Sequence, residues 1–126
     1  MSTRRVIAVG SDLFFATRIS ATAAQVGVEV LQPAIAEAHA AVRLELPDLV
    51  ILDLTSAGDP LALARALKSD PATGHVPLVG FYPHVEQTLR EAALAAGVDR
   101  VLPRSAFIAS LARLLQAGLS PRDPDC

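Results

Sequence analysis

The sequence predicts an α/β domain, a parallel sheet covered by helices on both faces, and three features carry the prediction. Short aliphatic or β-branched runs alternate five times with longer, alanine-rich stretches at helical spacing. The short runs are apolar throughout rather than alternating in and out, as strands buried on both faces are. Helices lie between successive runs, so neighbouring strands pair in parallel through crossover connections.

The expected strands are Val6 to Val9, Val28 to Leu31, Leu49 to Leu54, Val76 to Tyr82 and Arg100 to Leu102. A first helix starts at Ser11 or Asp12, whose side chains can accept from free amides, turns Phe15, Ile19, Ala23 and Val26 inward, and stops at Gly27. Ala34 to Leu46 forms a second, closed by Pro47. The third opens on Asp59-Pro60, a cap followed by proline at the first helical position, and runs through Leu63 and Leu67 to Asp70-Pro71. The fourth covers about Val85 to Ala96, with Val85, Leu89, Ala92 and Ala96 on one face and Gly97 as its stop. The fifth begins near Ser105 and buries Phe107, Leu111 and Leu114. Residues 1–118 are expected to form one domain, and the polar, proline-rich residues 119–126 a disordered tail.

Composition excludes several classes. With 126 residues the chain is long enough to bury one core unaided, and 52% hydrophobic against 19% charged residues is not the composition of a disordered protein. A formal charge of -2 provides no broad field for a phosphate backbone, so direct nucleic-acid binding is not expected. No run approaches the ~20 apolar residues of a spanning helix, so no membrane role is expected. The single cysteine, Cys126, excludes an internal disulfide framework and suits a reducing, cytoplasmic compartment. His39, His75 and His84 share no metal-ligand spacing and are expected at the surface.

A five-fold βα pattern at this length adopts the sheet order 2-1-3-4-5 of the flavodoxin-like, doubly wound folds, which place chemistry at the carboxyl ends of their strands. Those ends are Gly10-Ser11-Asp12, Asp53-Leu54-Thr55, Tyr82-Pro83-His84 and Pro103-Arg104-Ser105. The segments Pro47 to Leu54, Val76 to Val79 and Ala96 to Arg104 carry a resemblance: the chain resembles a response-regulator receiver domain (CheY-like) up to about Leu115. The resemblance implies that Asp53 occupies the place of the aspartate that accepts a phosphoryl group from a histidine kinase, forming an acyl phosphate.

The chain also departs from that family. The acidic pair that holds Mg²⁺ after the first strand is replaced by Gly10 and Ser11, leaving only Asp12 nearby. Asp53 with Asp12 is expected to bind Mg²⁺ weakly at best, an aspartate in the place of Asp12 being more often a helix cap than a metal ligand. Tyr82 stands at the small hydroxyl residue of the switch and is expected to cover the cavity; Arg104 stands at the usual lysine and is expected to pair with Asp53. Leu94, with Arg90 and Arg100, is expected to contribute to an outward patch on the face of fourth helix, fifth strand and fifth helix, where such domains dock a partner or form a homodimer.

These observations rank three functions. The first is an atypical, stand-alone signalling module that is not an enzyme and works through protein partners, a histidine kinase or a downstream signalling protein, with phosphorylation lost or weak. The second is a working phosphoacceptor using Asp53, and the third a small-ligand binder on a flavodoxin-like fold. Against the last, Gly10 to Phe15 places an acid and two phenylalanines where a phosphate would need hydroxyls and amides.

Overall fold

A computed structural model describes residues 4–82 and 87–119. In chain order its elements are β1 (Arg5–Val9), α1 (Leu13–Val26), β2 (Glu29–Leu31), α2 (Ile35–Glu45), β3 (Leu49–Asp53), α3 (Pro60–Ser69), β4 (Leu78–Tyr82), α4 (Gln87–Ala95), β5 (Arg100–Pro103) and α5 (Arg104–Ala117). All strand pairs are parallel and the sheet order is β2-β1-β3-β4-β5, as the βα alternation predicts.

Strand side chains alternate across the sheet and build two cores. Val6, Ala8, Leu49, Ile51, Val79, Phe81 and Leu102 pack with Phe15, Ile19 and Ala23 of α1 and with Phe107, Leu111, Leu114 and Leu115 of α5. Ile7, Val9, Val50, Leu52, Leu54, Leu78, Tyr82 and Val101 pack on the other side with Ala38, Val42, Leu63, Leu67 and Ala93 from α2, α3 and α4. Gly80 serves this packing, because a Cβ there would meet the Leu54 side chain at 3.0 Å.

The helix ends follow the expected signals. Asp12 accepts from the amides of Phe14 and Phe15, Gly27 ends α1 at a φ of 74°, and Asp59 accepts from the Ala62 amide ahead of Pro60. One end is unfavourable: α2 closes on Leu46, which takes a left-handed φ of 44° although it is not glycine. Val76 and Pro77 were expected in β4, but the strand begins at Leu78, beyond the residue that lacks an amide proton.

The fourth helix differs in phase. Ala93 is its buried residue, with Ala96 buried just beyond its end and Leu89 and Leu94 both packed against the α2–α4 core. Leu89 and Ala96 thus face the core as expected, but Ala93 rather than Ala92 is buried between them, and Leu94 flanks the core instead of standing outside. Alanine-rich turns offer little apolar contrast by which to choose between adjacent phases. The expected helix start at Val85, together with His84, Cys126 and residues 120–126, lies outside the described residues; Leu119, assigned to the tail, packs against the α1/α5 core.

Candidate functional site

Parallel strands 1 and 3 end side by side, and their last turns bring Gly10 against Asp53. The pairing runs Val9 to Leu52, with Asp53 opposite Phe81 on β4. Asp53 is only 5% exposed. Its Oδ1 accepts two bonds from Thr55, the amide and the hydroxyl, each at 2.9 Å. This local Asp-to-Thr turn was legible in principle, because aspartate readily bonds the backbone two residues on.

Gly10 approaches so closely that a Cβ on it would lie 2.8 Å from Asp53 Cβ and 3.5 Å from Oδ2. The position of the first missing acid is therefore closed sterically as well as chemically. Ser11, at the second, accepts the Ala57 amide at 3.1 Å and ties the β1–α1 turn to the β3–α3 loop. Asp12 rims the cleft, but its Oδ1 bonds the Phe14 amide at 2.8 Å and the Phe15 amide at 3.4 Å, so it serves as the helix cap.

The cleft beside Asp53, lined also by Gly10, Phe15, Gln32 and Phe81, has a free volume of about 10 Å³, roughly the room of one water molecule. Among the described residues no three acidic, histidine or cysteine groups gather in a metal-binding cluster. A tightly held Mg²⁺ does not fit these residues: the ion keeps a full octahedral shell, and Asp53 and Asp12 each already spend one carboxylate oxygen on the chain's own donors.

Arg104 does not make the expected ion pair. It begins α5, and its guanidinium carbon sits 4.9 Å from the centroid of the Phe15 ring. The positive end of a helix repels a cation at its first residue, while an aromatic face attracts one. Phe15 in turn leans on Phe81 at 4.7 Å, and Phe81 stacks on Phe107 at 4.3 Å. Among the described residues no cation lies within ion-pair distance of Asp53.

Tyr82 is fully buried, but it does not cover the cleft beside Asp53. Strand alternation sends Phe81 to Asp53's side and Tyr82 to the opposite side, into the core shared by α2, α3 and α4. The phenylalanine one residue earlier does the covering expected of the tyrosine. Sequence reasoning thus located Asp53 and the cap at Asp12, and missed Thr55, Phe15 and Phe81.

No protein-family profile matches the chain, and no curated protein does. Solved structures do match. The chemotaxis response regulator CheY4 of Vibrio cholerae superposes with a TM-score of 0.80 at 20% identity, covering 94% of this chain and 100% of that one. The receiver domain of a sensor histidine kinase of Pseudomonas aeruginosa PAO1, solved with magnesium in its active-site cleft, gives 0.80 at 22%, over 91% and 96%. The phosphorylated cyanobacterial phytochrome response regulator RcpA gives 0.78 at 20%, over 94% and 98%. The chain therefore has the fold of CheY-like receiver domains.

Proposed function

We propose that this chain is an atypical receiver-type signalling module, a cytoplasmic protein that is not an enzyme, and that it acts by binding other proteins, with phosphoryl transfer to Asp53 lost or weak. The observation that supports this reading is the contact of Gly10 with Asp53: the Asp53 side chain stands 2.8 Å from where the Cβ of any metal-holding residue at position 10 would lie. Without a cation to neutralise the phosphoryl oxygens, attack by a carboxylate gains little stabilisation in the transition state. Mg²⁺ then binds weakly at best, through Asp53 and Asp12. The partners are a histidine kinase or a downstream signalling protein, as for the proteins that share the fold.

A working phosphoacceptor is the second reading, favoured by the position of Asp53 at the end of β3 with only one carboxylate oxygen hydrogen-bonded. A phosphate-binding pocket at the start of α1 is disfavoured, because the Asp12 carboxylate already occupies amides that a phosphate would need.

Incubation of the intact chain with acetyl phosphate and Mg²⁺, followed by intact-mass measurement, tests the choice. No phosphoryl adduct is expected. An adduct on the wild type that disappears in Asp53→Asn establishes the second reading instead, and a yellow or nucleotide-loaded purified protein establishes ligand binding.

A further inference from the structure

We infer that the chain pairs weakly with a second copy of itself through the exposed face of α2. That face ends beside the amino edge of the sheet, at the far end of β3 from Asp53, so the pairing goes beyond the reading above and needs no phosphoryl chemistry.

Four large apolar side chains are exposed among the described residues, and two of them, Leu44 at 81% and Leu46 at 52%, stand together at the end of α2. Leu46 is also the one described residue other than glycine with a left-handed backbone. A leucine kept both strained and exposed points to a use outside the isolated fold. Ala40 and Ala36 are exposed too, four and eight residues before Leu44, so an apolar row runs along the outside of the helix.

Charge identifies what covers the row. At ~100° per residue, Glu37 and Arg43 lie about 60° to either side of Ala40, one before it and one after. Among the described residues Glu37 makes no ion pair, and Arg43 meets Asp70 at 3.3 Å through Nε, which leaves the outer edge of its guanidinium open. The row thus has an unanswered acid on one flank and an open cation on the other.

A two-fold axis passing beside Ala40, with the two rows running along each other at the common helix crossing of about 50°, sets Leu44 against the partner's Leu44 and Glu37 beside the partner's Arg43. Symmetry makes the charge pairing twice. The small side chain of Ala40 at the crossing lets the two backbones approach. A uniformly acidic or basic partner would meet a like charge on this face, whereas a second copy answers both signs. The other exposed pair, Leu13 and Phe14, adjoins a helix whose single charge is Arg18, so a two-fold contact there would bring like charges together.

The 11 residues of α2 span about 16 Å, so the contact covers less than the roughly 1,200 Å² of small stable interfaces, and dissociation is expected on the order of 100 µM. Sedimentation equilibrium of the full chain from about 10 µM to 1 mM is therefore expected to show a monomer passing into a dimer. Leu44→Glu and Glu37→Arg should each weaken it at least about tenfold, while Arg18→Glu on α1 and Asp53→Asn leave it unchanged. Mixing the Glu37→Arg chain with an Arg43→Glu chain should restore pairing as a heterodimer, since every arginine then faces a glutamate.

Arg43→Glu gives up the Asp70 contact, so thermal melts check its folding, and a cysteine variant provides a test without charge changes. In a Cys126→Ser chain, Ala40→Cys places an exposed thiol beside the axis and should yield a disulfide-linked dimer under mild oxidation that Leu44→Glu suppresses. A monomer throughout the concentration range overturns the inference. So does a dimer indifferent to Leu44→Glu and Glu37→Arg, which assigns self-association to another face, or one lost in Asp53→Asn, which ties it to the opposite edge of the sheet.

Discussion

Two aspartates at opposite ends of the same sheet are treated in opposite ways. Asp99, before β5, accepts Lys68 Nζ at 2.7 Å and the Leu78 amide at 2.8 Å through one oxygen, joining α3 to the amino ends of β4 and β5. Asp53, at the carboxyl end of β3, is far more buried, yet among the described residues its one hydrogen-bond partner is Thr55. Around Asp99 the amino edge is laced with charge: Arg5 bridges Glu29 and Glu45, its amide bonds Asp48, and Asp70 takes His39 and Arg43. The difference teaches that buried charge is matched where it supports the fold and left unmatched at the edge where this topology places its sites. A lone buried carboxylate is costly to keep, and such costs concentrate at functional positions.

The comparison can be broken by substitution, and the largest effect is expected at Lys68. Its ammonium also bonds Val76 O at 2.9 Å, so Lys68→Met strips three acceptors and should cost about 3 kcal/mol in urea unfolding. Asp53→Asn keeps an acceptor for Thr55 while removing an unmatched charge, and should leave stability unchanged or raise it by about 1 kcal/mol. A loss at Asp53 as large as that at Lys68 would erase the distinction between the two edges.

Gly10→Ala comes next. Its new methyl would lie 2.8 Å from Asp53 Cβ, so a destabilisation of about 1–3 kcal/mol is expected from overpacking. A neutral result, read by the same unfolding curve, would mean that the turn relaxes easily, and the steric half of the argument against a metal site would fall.

A fourth substitution sharpens the picture at the amino edge. Leu46 is exposed and left-handed, and its side chain belongs to neither core, so nothing there offsets the strain. Leu46→Gly should therefore stabilise by about 0.5–1 kcal/mol, raising the denaturation midpoint.

The smallest effect concerns acid. The Ala72 amide, then the His39 and Arg43 side chains, hold the Asp70 carboxyl below its ordinary range. A carboxyl lowered on folding adds stability above its unfolded value, about 3.9, and that share is lost as pH falls through the folded value. Melting temperatures followed from neutral to acid pH should fall less steeply in Asp70→Asn than in the wild type; parallel curves would show that the cluster contributes nothing.

Most of the architecture was legible because continuous apolar runs, Gly27, Gly97 and the Asp59-Pro60 pair mark element limits without help from packing. The sheet order then follows from connection rules. Within the site, Asp53 was legible from its place at a strand end and Asp12 from its cap chemistry. Three features were not. Which face Tyr82 takes depends on where a strand begins counting, and a slip of one residue reverses it. Arg104 chose an aromatic ring over a carboxylate, a balance of two weak attractions set by distances that no sequence displays. The phase of α4 was hidden by alanine, whose small side chain is at home on either side of a helix.

The chain has one tyrosine and no tryptophan, and all four phenylalanines lie at residues 14, 15, 81 and 107. With Tyr82 in one core and the buried rings Phe15, Phe81 and Phe107 in the other, ultraviolet emission reports solely on the half of the molecule under α2, α3 and α4. An observer watching that light would see nothing direct of an event at α1. Comparing emission with phenylalanine ring resonances in NMR therefore gives separate clocks for the two sides of the sheet, and their agreement or divergence on unfolding tells whether the halves come apart together.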